Sequence, residues 1–344
     1  MSKPRATIAH VAARANVSYS TVSRVMNDGI ASSEVRDRVQ QAARELGYKP
    51  SSIARNFKMG RQGCIGVIVE SSVGSWFGQV LGGIEEALAE KAASALMLGS
   101  LVLRERYDSS AVRSWISERR IDGLIFARCT GREADLVEQA REQQIPMVFV
   151  APDEDFGSGP VFVSGNRDAA RKVASHLLSL GHRRFGFLGG PRDSTDIVDR
   201  LRGLGDALAD RGLAVDEAHL WFAGSYAPGG GIGLAERWLA LPRGSAPTAV
   251  VCANDALAIA FLRAVLQHHV RVPEDVSVVG FDGVPEGALY WPGLTSARQP
   301  SGDLGAAACR TLLRMIDEPD RAPQKRTEMP MELVIRESSG PVPS

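Results

Sequence analysis

Four cysteines in 344 residues, Cys64, Cys129, Cys252 and Cys309, stand far apart and without metal-ligand spacing. That scarcity argues against a zinc site or a disulfide framework. Cys64 and Cys252 fall in apolar, strand-like runs, so buried reduced thiols are expected there. No run of about 18 apolar residues occurs, and residues 1–30 hold no apolar signal core. The sequence therefore predicts a cytoplasmic chain with no membrane partner. Chemistry-bearing motifs are equally sparse: GxxxxGKS, GxxxxGKT, HExxH and GxSxG are all absent. The glycine-rich stretches GFLGGPRD and PGGGIGLAER do not give GxGxxG after a strand, and they look like helix N-termini. His268 and His269 are adjacent but have no third ligand nearby in sequence. Neither an enzyme nor a cofactor is indicated.

The formal net charge is zero, but it is unevenly spread. Residues 1–61 carry eleven Lys/Arg against four Asp/Glu, a surplus of +7. The remaining residues carry 29 basic and 36 acidic side chains. A basic head on an acidic body suits a head that alone meets a polyanion; a merely solvated basic face is the competing reading of charge alone. The length suits two or three units with sizeable cores.

In the head, Thr7 can cap a helix whose Ile8, Val11, Ala12 and Ala15 share one face. Asn16 tolerates the left-handed conformation of a tight turn, and Ser18 is a natural cap for a second helix. There Val22, Val25 and Met26 point inward, leaving Tyr19, Ser20, Ser23 and Arg24 outward. A third helix, about Ser33 to Leu46, stacks Val35, Val39, Ala42, Ala43 and Leu46 on the pair, and Gly47 closes it. Two short helices about three residues apart, the second polar on its outer N-terminal face, form the helix-turn-helix pattern.

The stretch TIAHVAARANVSYSTVSRVMN, with VRDRVQQAARELGYKPSSIARNF after it, closely resembles the DNA-binding head of the LacI/GalR family, and the resemblance runs down the whole chain. It implies that Tyr19, Ser20 and Arg24 read base edges in the major groove. An arginine pairs bidentately with guanine, worth roughly 1–3 kcal/mol of discrimination. By the same resemblance Thr7, Ser18, Thr21 and Asn27 bind phosphates and set register. Plain helix capping is the competing role for Thr7 and Ser18, and both roles can hold at once.

After Pro50 the family has a hinge segment that becomes helical on DNA. Here it reads Pro50 to Phe57, with Ser51 where asparagine is usual and Phe57 where leucine is. The resemblance implies that Phe57 wedges into a central minor-groove step, and that Ala54, Arg55 and Lys58 also lie at the DNA. An ordinary packing stripe of Ile53 and Phe57 is the alternative.

In the body, the runs CIGVIV, ALMLG, DGLIFA, PMVFV, VFV, RFGFLGG, AVVCAND and VSVVGFD read as strands. Helices fall between them, beginning near Phe77, Ser109 and Arg132 in the first half. Such alternation, run twice, predicts two α/β lobes with parallel sheets, each with a crevice at its strands' carboxyl ends. The resemblance implies a two-lobed fold like that of type I periplasmic binding proteins, with a small-molecule effector between the lobes. The expected layout is a helix-turn-helix domain over 1–49, a hinge over 50–61 and an effector-binding domain over 62–344. Lobe 1 would take about 62–162 plus 300–325, and lobe 2 about 163–299 plus 326–338.

Arg200 and Asp282 align with family residues that hold ligand, and Asn254 and Asp255 fall in the family's Asn-Asp step. Trp76, Phe77 and Tyr226 fall where some members carry aromatic pocket residues. Arg128 and Asp196 complete the effector-binding set. Surface charge for Arg200, turn capping for Asp282 and core packing for Trp76 are the bland alternatives. Two departures stand out: Ala151 replaces a frequent aspartate, and Ser164-Gly165-Asn166 replaces Val-Asp-Asn. Losing two acids predicts a flatter or less hydroxylated effector than a sugar, or one with negative charge near Arg200 and Arg128. A transport receptor of the same fold would need an export signal and would lack the basic head. The tail after LVIRES has no leucine heptad, so the expected assembly is a homodimer on a near-palindromic operator, a nucleoid-bound repressor switched by effector.

Overall fold

The computed structural model describes residues 6–26, 29–48, 61–69, 74–91, 95–100, 102–103 and 106–342. It divides into two compact units, Met1–Gly63 and Cys64–Ser344.

Among the described residues the first unit holds three helices: α1 (Ile8–Ala15), α2 (Tyr19–Met26) and α3 (Ser33–Leu46). Val11, Ala12, Ala15, Val22, Val25, Val39, Ala42 and Ala43 form its core. Asn16 sits in the left-handed region at φ 51°, where it ends α1, and Gly47 does the same for α3 at φ 61°. Leu46, expected in the stack, lies at the rim at 36% exposure, and Tyr48 packs against the core beyond the cap.

The second unit has two six-stranded sheets. The first, in spatial order, is β13 (Arg326–Met329), β7 (Val161–Ser164), β6 (Met147–Val150), β5 (Gly123–Ala127), β1 (Cys64–Val69) and β2 (Ala95–Ser100), parallel throughout. The second is β14 (Glu332–Val334), β12 (Thr295–Arg298), β11 (Ser277–Asp282), β10 (Ala249–Cys252), β8 (Phe185–Gly189) and β9 (Leu220–Phe222). Only β14 runs antiparallel to its neighbour there. Two short strands, β3 (Val102–Leu103) and β4 (Arg106–Tyr107), pair separately. Every residue of β5, β6, β8, β10 and β11 is buried, as strands covered by helices on both faces must be. Cys129, Cys252 and Cys309 are buried free thiols, whereas Cys64 at the start of β1 is half-buried.

The chain passes between lobes three times: after β7, between β12 and the helix Ser301–Asp317, and between β13 and β14. One boundary differs from expectation. Residues 326–329, expected in lobe 2, extend the first sheet instead, because Arg326–Met329 pairs in parallel with Val161–Ser164 along its free edge. That pairing also keeps 163 and 164 in the first lobe. The crossings are tied to one another: Ser164 Oγ donates to Gln299 Oε1 at 2.7 Å, and Gly165 N donates to Met329 O at 2.8 Å.

Among the described residues no helix is long and apolar enough to cross a membrane, and no cluster of three or more His, Cys, Asp or Glu could hold a metal.

Candidate functional site

Two sites follow from the two units. On the first, Ser18 precedes α2 and accepts a hydrogen bond from Thr21 N at 3.1 Å, the geometry of a helix N-cap. Its hydroxyl also lies 2.8 Å from those of Ser20 and Thr21, a small hydroxyl cluster at the positive end of the helix. Ser18, Tyr19, Ser20 and Arg24 are exposed and Thr21 is half-buried, so the predicted reading face is free while Val22 and Val25 hold the core. Thr7 is exposed one residue before α1, and its N–H donates to His10 Nδ1 at 3.3 Å. Asn27, Ala54, Arg55, Phe57 and Lys58, expected at the DNA, lie outside the described residues.

On the second unit the candidates gather at strand carboxyl ends, where ligands of open parallel sheets bind. Arg128 follows β5, Asp196 lies in the first turn of the helix Thr195–Ala209 after β8, Tyr226 follows β9, Asn254 follows β10, and Asp282 ends β11. Arg128, Ala151 and Asp282 have φ of 54°, 47° and 115°. Such left-handed backbone in non-glycine residues is costly and concentrates at functional sites.

The arrangement centres on Arg128. Its Nη1 donates to Asp196 Oδ2 at 2.7 Å and its Nη2 to Ser194 Oγ at 3.1 Å, while Asp153 Oδ1 stands 3.6 Å from Nη2. The guanidinium lies 4.4 Å over the Tyr226 ring. Ser194 Oγ in turn donates to Asp153 Oδ1 at 2.8 Å and lies 2.8 Å from Tyr226 Oη. Arg128 and Asp153 come from the first lobe, Ser194, Asp196 and Tyr226 from the second. Burial opposes the Arg128 charge, but Tyr226, Asp196 and Asp153 outweigh it and hold the group above its ordinary range. Burial likewise raises the Asp196 carboxyl, yet Arg128 and Arg200 pull it below the usual carboxylate value.

Arg200 is 1% exposed. Its Nε donates to Asn166 Oδ1 at 2.8 Å, its Nη1 to the Ala253 carbonyl, and its guanidinium lies 4.5 Å over the Phe281 ring. Its Nη2 has no hydrogen-bond acceptor among the described residues and stands 3.8 Å from Asp196 Oδ2. Asn166 Nδ2 donates to Asp196 Oδ1 at 2.9 Å, linking the two. Asp282 accepts from Gln299 Nε2 at 2.6 Å. Burial pushes its carboxyl up to about 6, with Arg200 and the Gln299 amide acting in the opposite direction.

Three of the expected effector residues have contacts within the fold. Asp255 is fully buried; it accepts from Ser296 Oγ at 2.6 Å and from Val284 N at 2.8 Å, so both oxygens are spent within the second lobe. Asn254 caps its helix by accepting from Leu257 N at 2.9 Å, and its amide donates to Tyr226 O at 3.1 Å. It positions Tyr226. Phe77 belongs to the first lobe's core beside Val80 and Ile84. Trp76 meets Phe77 edge-on at 4.9 Å and is half-buried, its Nε1 without an acceptor among the described residues.

Sequence reasoning missed Asp153, Asn166, Ser194 and Gln299. It also expected Arg128 to be open to an anion, whereas the Asp196 and Asp153 carboxylates occupy it. The acid lost at Ala151 returns two residues later as Asp153. The signal was a Pro-Asp pair one residue past the end of a strand. Missed too was Ser75, whose Oγ donates to Glu286 Oε1 at 2.5 Å across the lobes.

Comparison with known proteins matches the bacterial regulatory protein lacI family over residues 7–51 and a periplasmic binding protein-like domain over 174–339. The chain is 31% identical over 343 residues to the HTH-type transcriptional repressor PurR of Photobacterium profundum, covering 97% of this chain and 98% of that one. It is 32% identical to the PurR of Escherichia coli O139:H28, covering 97% and 96%. Among solved structures, a lac repressor dimer bound to operator and the anti-inducer ONPF aligns at TM-score 0.77 and 27% identity, over 98% of this chain and 100% of that one. A complex of the regulator CelR with cellobiose aligns at 0.72 and 26%, over 97% and 100%. The three-helix head with its exposed polar face on α2 and the two-lobed body thus have one common explanation: the chain belongs to the lacI family of bacterial regulatory proteins and is a DNA-binding transcription regulator, not an enzyme.

Proposed function

We propose that the protein is a repressor that binds a near-palindromic operator as a homodimer and is switched by a small molecule held between its two lobes. The observation that carries the switch is the convergence of Arg128 and Asp153 from one lobe with Ser194, Asp196 and Tyr226 from the other. A cleft bridged by side chains of both lobes turns any change of occupancy into a change of lobe geometry. On DNA, Tyr19, Ser20 and Arg24 read bases, while Thr7, Ser18, Thr21 and Asn27 fix register on phosphates. Ala54, Arg55, Phe57 and Lys58 form the minor-groove part of the interface, Phe57 as the wedge. Leu289, Tyr290 and Trp291 support the dimer: they are consecutive and 84%, 42% and 80% exposed, an apolar surface suited to a second copy.

The effector is a sugar, a sugar derivative or a purine-like compound, held by Asp196, Arg200, Tyr226 and Asp282, with Arg128 beside it and Trp76 at the edge. The CelR–cellobiose complex, a relative in fold with a bound sugar, supports the sugar end of this range. The test is a thermal-shift screen of the full chain against sugars, sugar phosphates, nucleosides and purines. A ligand at about 100 times its dissociation constant adds roughly 2.7 kcal/mol of stability. The shift is expected to vanish in Arg200→Ala and Asp282→Ala; a shift that survives both variants places the ligand elsewhere.

A further inference from the structure

The guanidinium of Arg128 is held as a bound ligand would be. It is flat, it is stacked 4.4 Å over an aromatic ring, and its two terminal nitrogens are met by a carboxylate at 2.7 Å and a hydroxyl at 3.1 Å. A second carboxylate, Asp153, stands 3.6 Å away. The groups that meet the Arg128 guanidinium are two carboxylates, a hydroxyl and a ring face: Asp153, Asp196, Ser194 and Tyr226. The two acids belong to opposite lobes, so a cation between them is what lets the lobes approach; without it, like charges face each other in a site of low dielectric. Arg200 relieves only part of this. Its Nη2 is 3.8 Å from Asp196 Oδ2, and two of its other nitrogens are taken by Asn166 and the Ala253 carbonyl.

We propose that Arg128 is a built-in occupant of the effector cleft, whose guanidinium fills an acceptor-lined subsite of Asp153, Ser194, Asp196 and Tyr226 and latches the lobes shut without a small molecule. A ligand that enters this subsite replaces the guanidinium, and it presents a flat group with adjacent N–H donors, as an amidinium, a guanidinium or an aminopurine edge does. A sugar hydroxyl cluster supplies neither the plane nor the charge. The proposal rests on reading the cleft as the effector site, but its test needs neither effector nor DNA, so the two readings fail separately.

The experiment measures the distance between the lobes in the full chain. Spin labels go on Ala134→Cys in the first lobe and Ala209→Cys in the second, both exposed positions, with half-buried Cys64 changed to Ser. The labelled chain is diluted with unlabelled chain, and distances are read by pulsed electron paramagnetic resonance. The latched protein gives one short, narrow distance with no ligand added. Arg128→Ala is expected to lengthen and broaden it, and methylguanidinium at about 10 mM is expected to restore it, since the tethered group it stands in for acts at an effective concentration in the millimolar range. Asp196→Asn, which keeps the side-chain shape, is expected to open the lobes with no rescue by methylguanidinium, and circular dichroism checks that both variants are folded. A short distance persisting in both variants overturns the latch. Opening of Arg128→Ala without reclosure by methylguanidinium overturns the subsite.

Discussion

Arg24 projects from an exposed face of α2 while Val22 and Val25 on the opposite face hold the core. Its removal therefore tests recognition with little cost to folding. Arg24→Ala is expected to weaken operator binding by roughly 1–3 kcal/mol and to relax preference at one base pair, read by fluorescence anisotropy on single-base operator variants. Asp255 tests the opposite case, a charged residue type used for structure. Burial, with Asp282 adding to it, pushes its carboxyl up to about 8, against about 3.9 in an unfolded chain. Between those values the unfolded chain is ionised and the folded one keeps its proton. The folded state binds more protons, so this group makes stability fall as pH rises from about 4 toward 8. Asp255→Asn cannot ionise, and urea unfolding from pH 5 to 9 is expected to show a flatter alkaline decline than the parent. An unchanged slope would mean that Asp255 is already ionised when folded.

At the scale of elements, the helices Ser75–Lys91 and Ser301–Asp317 meet at glycine. A Cβ added at Gly83 would lie 1.9 Å from the Gly302 carbonyl oxygen, and one at Gly305 would lie 2.2 Å from that of Val80. Backbone cannot yield as a side-chain tip can, so Gly83→Ala forces the helices apart and is expected to cost about 1–3 kcal/mol in urea unfolding. Gly82 next to it is exposed with open space around its Cα. Gly82→Ala is expected to be neutral or to stabilise by about 0.5–1 kcal/mol through helix propensity. The helices and strands legible in the sequence were those whose burial leaves a pattern. The head's three helices show apolar residues at helical spacing, and the central strands show unbroken apolar runs. Six strands escaped: Arg326–Met329 and Thr295–Arg298 are short and mostly polar, while Leu220–Phe222, Glu332–Val334, Val102–Leu103 and Arg106–Tyr107 are only two or three residues long, too short to leave a pattern. Arg326–Met329, Glu332–Val334 and Leu220–Phe222 each form the edge of a sheet, where only one side needs a partner. The site was half legible for a related reason. Arg200 and Asp282 stand in recognisable local motifs, but the Arg128–Asp196 pair joins residues 68 apart, and no local pattern announces which arginine meets which acid.

At the scale of the whole molecule, the apolar surface at Leu289 and Trp291 belongs to a stretch, Ala288 to Gly293, that links the helix Pro285–Leu289 to β12. If a second copy covers it, Leu289→Glu with Trp291→Glu is expected to raise the dimer dissociation constant at least tenfold, about 1.4 kcal/mol, in sedimentation velocity. The body would keep its thermal stability, because neither side chain contributes to a core. A dimer unaffected by both changes would place the interface elsewhere. The proposed division of labour accounts for the charge distribution: the surplus of +7 over residues 1–61 suits a polyanion, while the cleft sets Arg128 and Arg200 against Asp153, Asp196 and Asp282. The most direct test of that division is to select binding sites for the full chain from a random DNA pool and then compare selected and scrambled duplexes by anisotropy at fixed salt. The account predicts a near-palindromic site bound at least about a thousandfold more tightly than scrambled DNA, with the preference reduced by Arg24→Ala. Equal affinity for both duplexes, falling together as salt rises, would contradict it.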